Sequence, residues 1–162
     1  MIKIVVAADL NNAIGRKGRL PWRLKADMCY FRMLTMGQTV LMGRRTYESI
    51  GKALAGRWNV VLTKDIAFDA PDIEVAHSLE EALLYHTPKN RDIFVIGGES
   101  LYRELWEEAD EIYLTKVHTK VKGADTFVPE IDTTLYRAVS RTAHPKDEDN
   151  EYACEFIKYI RK

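Results

Sequence analysis

The chain has 162 residues, enough for one domain with a sizeable buried core. Apolar residues make up 46% and charged residues 30%, and 24 basic against 24 acidic side chains leave a formal charge of zero, which gives no support to broad attraction toward nucleic acid or anionic lipid. Two cysteines outside any CxxC pair, four scattered histidines (His77, His86, His118 and His144) and the lack of a membrane-length apolar run or leader features point to a reduced, soluble, cytoplasmic protein without a disulfide framework or metal site.

In chain order, Ile2–Ala8 reads as a buried strand and Lys25–Thr35 as a helix. Thr39–Met42 is a second strand entering Gly43, followed by a short helix over Thr46–Ile50. Asn59–Thr63 is a third strand. Ser78–Tyr85 is a helix, with Ser78 as N-cap and Glu81 completing a capping box. Ile93–Ile96 and the helix Glu99–Glu107 follow. Such near-continuous apolar strands suit the middle of a parallel sheet covered by helices. After Asp110 the pattern changes: Glu111–His118, Tyr136–Thr142 and Tyr152–Ile160 are strand-like with no helix between them. The alternation Cys154, Phe156, Lys158, Ile160 suits antiparallel pairing, with His144–Glu151 as the turn. The expectation is an α/β fold: a single domain over residues 1–162, a mostly parallel central sheet and antiparallel C-terminal strands.

Three features can carry chemistry. In the first helix Leu24, Asp27, Phe31 and Leu34 fall on one side, so a carboxylate sits in an apolar stripe. It must find strong hydrogen-bond partners, bind a donor-rich ligand, or take up a proton. The alternative is an acid partly solvated at a helix start. Second, two strand-to-helix junctions carry glycine: Met42-Gly43-Arg44-Arg45-Thr46 and Ile96-Gly97-Gly98-Glu99-Ser100. Each places free N–H groups where an anion can bind, with Thr63-Lys64 ending the neighbouring strand. Alone, each also reads as a tight turn, and neither a GxGxxG nor a GxxxxGK[ST] pattern is present. Third, Arg57 after Gly56 is either a bidentate carboxylate clamp or a solvated loop charge, and Lys52 is open to the same two readings.

Taken together, Ala7, Ile14-Gly15, Leu20-Pro21-Trp22, Ala26-Asp27, Phe31, Met42-Gly43-Arg44, Thr46, Glu48-Ser49-Ile50-Gly51, Leu54, Gly56-Arg57, Ile96-Gly97-Gly98, Tyr102, Leu114-Thr115 and Asp125-Thr126-Phe127 resemble dihydrofolate reductase, from Met1 to about Lys162. The resemblance implies an eight-stranded sheet with four helices. It also implies NADPH-dependent reduction of 7,8-dihydrofolate to tetrahydrofolate, for one-carbon metabolism, by a monomer open to antifolate inhibitors. By position, Asp27 matches the pterin-binding carboxylate, Thr115 its support, and Trp22 the residue reaching it through water. Val5, Met28, Phe31, Ile50 and Leu54 match the apolar wall around the substrate rings. Arg57 matches the clamp on the substrate's α-carboxylate, with Lys52 nearby.

The loop Asn11–Leu24 matches a mobile lid, with Ile14, Gly15, Arg16, Gly18, Arg19 and Leu20 toward the cofactor. Ala7 and Ile14 match residues whose backbone holds the carboxamide. Gly43, Arg44, Arg45 and Thr46, with Ile96, Gly97, Gly98, Glu99, Ser100, Leu101 and Tyr102, match the pyrophosphate junctions, and the Gly97-Gly98 peptide is expected to be cis. Arg44, Leu62, Thr63 and Lys64 match the 2′-phosphate end, with His77 near the adenine. Asp125 matches the brace of the lid. Lys25, Ala53 and Ala55 stand where the family often has proline. Two rivals share the scaffold: the reductase of riboflavin synthesis, which lacks the combination of Leu20-Pro21-Trp22, Asp27 and Arg57, and a non-catalytic folate or dinucleotide binder.

Overall fold

The computed structural model describes residues 1–85 and 89–162, so His86 lies outside the described residues. Among these, eight strands form one sheet: β1 (Ile2–Ala8), β3 (Thr39–Gly43), β4 (Trp58–Leu62), β5 (Glu74–Ala76), β6 (Ile93–Val95), β7 (Glu111–Val117), β9 (Tyr136–His144) and β10 (Cys154–Arg161), in the order β5-β4-β3-β6-β1-β7-β10-β9. Every pairing from β5 to β7 is parallel, while β7–β10 and β10–β9 are antiparallel. A second, two-stranded ribbon joins β2 (Ala13–Gly15) to β8 (Thr126–Phe127). The helices are α1 (Lys25–Thr35), α2 (Arg44–Ile50), α3 (Leu79–Tyr85) and α4 (Glu99–Leu105). Among the described residues no helix is long and apolar enough to cross a membrane.

The sheet is buried on both faces. Ile4, Val6, Leu41, Val60 and Val95 pack with Leu101 and Leu105 of α4 and with Ala82 of α3. Val5, Val40, Met42, Val61 and Phe94 point the other way, onto Tyr30, Phe31 and Leu34 of α1 and Tyr47 of α2. This two-sided burial explains why the parallel strands read as unbroken apolar runs. At the far edge β9 is almost wholly exposed after Tyr136. There Arg137 and Arg141 keep an unpaired strand edge charged.

Several element boundaries differ from expectation. Helix α2 begins two residues early, directly at Arg44, and α4 stops at Leu105. At α3 the Glu81 N–H donates to Ser78 Oγ at 3.0 Å, but the Glu81 carboxylate accepts the N–H of His77, one residue ahead of a capping box. The segment expected as a plain turn between β9 and β10 does more. Leu24 gives α1 no side-chain cap. Instead Asn150 Oδ1 accepts the Ala26 N–H at 2.9 Å, and Asp149 O accepts the Lys25 N–H at 3.2 Å. Asn150 is itself buried, and its amide donates to Asp147 at 2.8 Å. Helix α1, and the carboxylate in its first turn, is therefore capped from the opposite end of the chain.

Asn150→Ala should lower stability by about 0.5–2 kcal/mol, the usual worth of a side-chain cap. Denaturant titration checks this; a midpoint equal to the parent's would contradict the capping role.

Candidate functional site

The C-terminal ends of the parallel strands carry the site, where α/β sheets commonly bind ligands. Asp27 reaches from the first turn of α1 toward β7, and Thr115 Oγ1 donates to Asp27 Oδ1 at 2.6 Å. Thr115 is itself buried, set between Ala7 of β1 and Phe156 of β10 by the strand register. Burial pushes the Asp27 carboxyl above the ordinary value of 3.8, and the Thr115 hydrogen bond offsets part of that shift. The contrast with Asp9 is instructive. Asp9 is almost fully buried, yet its oxygens accept N–H groups of Asn11, Ala13 and Val121 at 2.8–2.9 Å. Asp27 has one neutral donor, so its remaining acceptor capacity is open to a ligand.

Beside it Trp22 is buried against Leu24, Val117 and Ala7, and its Nε1 has no hydrogen-bond partner among the described residues. A buried indole N–H without a partner suits a bridging water or a ligand acceptor. Val5, Phe31 and Leu54 belong to one apolar cluster. Met28 and Ile50 remain exposed at 66% and 37%, and Leu20 at 64%.

Arg57 is half-buried. Its Nε donates to Ala55 O at 3.0 Å and its Nη1 to Thr35 Oγ1 at 3.2 Å, and no carboxylate partners it among the described residues. Partial burial, then the charge of Arg32, lowers its pKa from the ordinary value. Among the described residues it is a cation without a counter-ion. Asn59, which sequence reasoning treated only as a strand residue, shapes this loop. Its Oδ1 accepts the Leu54 N–H at 2.8 Å, and its Nδ2 donates to Leu54 O and Arg57 O at 2.9 and 3.0 Å. Lys52 stays exposed and enters no ion pair with a described residue.

The two glycine junctions lie side by side, since β3 and β6 are neighbours. The Gly43 N–H donates to Gly97 O at 2.9 Å, and the Gly97–Gly98 peptide is cis. Gly97 has φ +125°, and a Cβ there would lie 3.3 Å from Thr46 Oγ1 and 3.4 Å from the Tyr102 ring. Only glycine suits both the conformation and the space. The N-caps of α2 and α4, Gly43 and Gly98, make no side-chain cap, so the first N–H groups of both helices remain for a ligand. Exposed Arg45 and Lys64 add positive charge. Arg44 already pairs with Glu48 and Asp65. His77 Nδ1 hydrogen-bonds Thr63 O at 2.9 Å, and Leu62 and Ile96 pack into the core as strand ends.

The side chains of three residues expected to bind a cofactor are engaged within the fold. The Glu99 carboxylate accepts the Phe127 N–H of β8 at 2.6 Å, because an acid at the first helical position can reach across to the ribbon. Leu101 is in the core, as the inward face of α4 demands. The Tyr102 hydroxyl donates to Val5 O at 2.9 Å, so it buttresses Gly97 from behind. Ser100 is exposed.

The loop over residues 11–24, expected as a lid, is tied down at several points. Arg16 and Arg19 close a two-residue turn with paired backbone hydrogen bonds, with Lys17 and Gly18 at φ 50° and 75°. Asp125 Oδ2 accepts the Lys17 N–H at 2.8 Å, and the Asp125 N–H donates to Gly15 O at 3.1 Å. Ser49 Oγ donates to Gly18 O at 3.2 Å, and Glu151 Oε1 accepts the Arg23 N–H at 2.7 Å. Ile14 sits half-buried in β2, beside the core.

The family model for dihydrofolate reductase matches residues 1–161. The chain is 40% identical to dihydrofolate reductase type 3 of Salmonella typhimurium, over 100% of this chain and 99% of that one. It is also 40% identical to dihydrofolate reductase of Bacillus subtilis, over 100% and 95% of the two chains. The chain belongs to the dihydrofolate reductase family. Among solved structures, a dihydrofolate reductase from Enterococcus faecalis complexed with NADP(H) and RAB-propyl superimposes with a TM-score of 0.92 at 34% identity, covering 100% of this chain and 96% of that one. For a dihydrofolate reductase, the lysine at position 25 has a use of its own: it retains the N–H that donates to Asp149. Cys154 is buried, its thiol pushed up to about 11 by that burial and by the charge of Asp27.

The raised carboxyl of Asp27 has a consequence for stability. Between 3.8 and its raised value the folded chain holds a proton that the unfolded chain has lost. Stability from this group therefore falls as pH rises through that window. In ligand-free protein, Asp27→Asn should raise the melting temperature at pH 7, with the gain vanishing below about pH 4, where both states are protonated. A gain independent of pH would contradict the assignment.

Proposed function

We propose that this chain reduces 7,8-dihydrofolate to 5,6,7,8-tetrahydrofolate with NADPH, acting as a cytoplasmic monomer on small-molecule partners. The observation that carries this reading is the Asp27–Thr115 pair, set in an apolar cleft beside a two-glycine phosphate cradle. The donor set fits a dinucleotide. Two uncapped helix starts and the close approach allowed at Gly43, Gly97 and Gly98 suit a pyrophosphate, with Thr46 and Arg45 beside it. Arg44, Thr63 and Lys64 would receive the 2′-phosphate, with His77 toward the adenine. The backbone of Ala7 and Ile14 would hold the carboxamide, and the lid residues Gly15, Arg16, Gly18, Arg19 and Leu20 would border the nicotinamide.

Asp27 would accept hydrogen bonds from the 2-amino group and N3 of the pterin, giving the buried carboxylate the donors it lacks. Thr115 orients it, and Trp22 Nε1 reaches the same edge through water. Val5, Met28, Phe31, Ile50 and Leu54 enclose the rings, and Arg57 clamps the α-carboxylate with Lys52 nearby. NADPH, when bound, supplies the hydride that passes from nicotinamide C4 to pterin C6. The N5 proton comes from water under the lid, since Asp27 lies on the opposite edge of the ring system and favours protonated substrate from there. The lid, held by Asp125, Ser49 and Glu151, excludes bulk water at that step.

Loss of NADPH absorbance on mixing with dihydrofolate, much slower with NADH and blocked by methotrexate, is the direct test; binding of both ligands without turnover would favour a non-catalytic binder. Asp27→Asn should lower turnover by about a hundredfold or more and leave a rate that follows the fraction of substrate already protonated in solution. A parental pH–rate profile in that variant would sink the role given to Asp27. Arg57→Ala should raise KM for dihydrofolate by about tenfold to a hundredfold with kcat little changed, because the clamp is made equally in ground and transition states.

A further inference from the structure

Arg44 does not meet a phosphate as a free cation. Its Nε donates to Glu48 Oε1 at 3.0 Å, one turn along α2, and its Nη1 donates to Asp65 Oδ2 at 2.7 Å. The guanidinium carbon lies 4.6 Å from the centroid of the Phe68 ring, which Tyr47 meets edge-on at 5.9 Å. A guanidinium offers two edges to a bidentate anion, the Nε/Nη2 edge and the Nη1/Nη2 edge. Here each edge has one donor already bound to a carboxylate. Asp65 is not a loose surface acid. Its Oδ1 accepts the Ala67 N–H at 2.9 Å, its own N–H donates to Thr63 Oγ1 at 3.2 Å, and its carbonyl accepts the Phe68 N–H at 3.2 Å. The loop that follows β4 is folded around the side chain that holds Arg44.

We propose that Asp65, seconded by Glu48, is a specificity-determining residue that limits this enzyme's preference for a 2′-phosphorylated dinucleotide by occupying the bidentate edges of Arg44. The inference rests on the reading of Arg44 and Lys64 as the 2′-phosphate residues. A dianionic phosphate arriving at Arg44 must either accept a single hydrogen bond, next to two carboxylates, or displace one of them. Displacing Asp65 breaks an anchored loop, and displacing Glu48 breaks an i,i+4 pair on α2. Both acids repel the incoming charge in either case. The discrimination left to Lys64 and the remaining Arg44 donors is then smaller than an unpaired arginine would give.

The 2′-phosphate can be isolated by comparing 2′,5′-ADP (adenosine 2′,5′-bisphosphate) with 5′-AMP, which share every other group. Calorimetric Kd values for the pair should be measured in the parent and in Asp65→Asn, Asp65→Ala, Glu48→Gln and Arg44→Ala, alongside kcat/KM ratios for NADPH over NADH. Removing either acid should tighten 2′,5′-ADP by about threefold to tenfold, with 5′-AMP unchanged within about twofold. The NADPH/NADH ratio should rise by the same factor. Asp65→Asn keeps an acceptor for the Ala67 N–H, so it decides the case if Asp65→Ala disturbs the loop and weakens both nucleotides. A ratio in Asp65→Asn and Glu48→Gln that is unchanged or lower overturns the proposal. An Arg44→Ala ratio equal to the parent's overturns the placement of the phosphate on Arg44, and the proposal with it. A collapsed Arg44→Ala ratio without gain in the acid variants leaves that placement standing and removes only the role given to Asp65.

Discussion

The hydrogen bond from Thr115 to Asp27 is the point on which the site turns. It joins a helix to the centre of a sheet at 2.6 Å, and among the described residues it is the one side-chain donor to a carboxylate placed among apolar side chains. Everything around it serves to hold that carboxylate where burial raises its pKa. Parallel pairing of β7 with β1 aims Thr115 at the cleft, and Asn150, in the turn before β10, accepts the Ala26 N–H and so fixes the helix start next to Asp27. Asp9, a few residues from the same strand end, shows the other fate of a buried acid: three N–H donors satisfy it, and its role is to shape the β1–β2 turn.

Around this carboxylate, charge is distributed with unlike degrees of neutralisation. Arg57 has only neutral oxygens as partners among the described residues. The glycine cradle offers backbone dipoles and uncapped helix starts. Arg44 is compensated by two acids. The loop over residues 11–24 is bound through backbone groups to Asp125, Glu151 and Ser49, and its cationic side chains at positions 16, 17, 19 and 23 are exposed.

Local patterns made much of this legible. The limits of β1 and α1 follow from an apolar run and a helical stripe, and the carboxylate in that stripe marked the site. The switch from unbroken to alternating apolar strands after Asp110 located the change from parallel to antiparallel pairing. The three-residue strands β2 and β5 and the two-residue β8 escaped because segments so short carry no period, and long-range pairing alone defines them. Asn150 and Asn59 escaped for a related reason. Buried amides read as ordinary turn and strand residues until the partners, 124 positions away for Asn150, are in place. The inward face of α4 turns the Leu101 and Tyr102 side chains to the core and Glu99 to β8, which the resemblance alone does not show.

The central claim is that Asp27 is held short of donors until a pterin supplies them. Selectively ¹³C-labelled aspartate allows its carboxyl to be titrated by NMR in the ligand-free protein and in complex with an unreactive antifolate. The account predicts titration above the ordinary carboxylate range when free, and a carboxylate that stays ionised to well below that range once the donor-rich ring is bound. An ordinary titration in the free protein, or one that the ligand leaves unmoved, would contradict it.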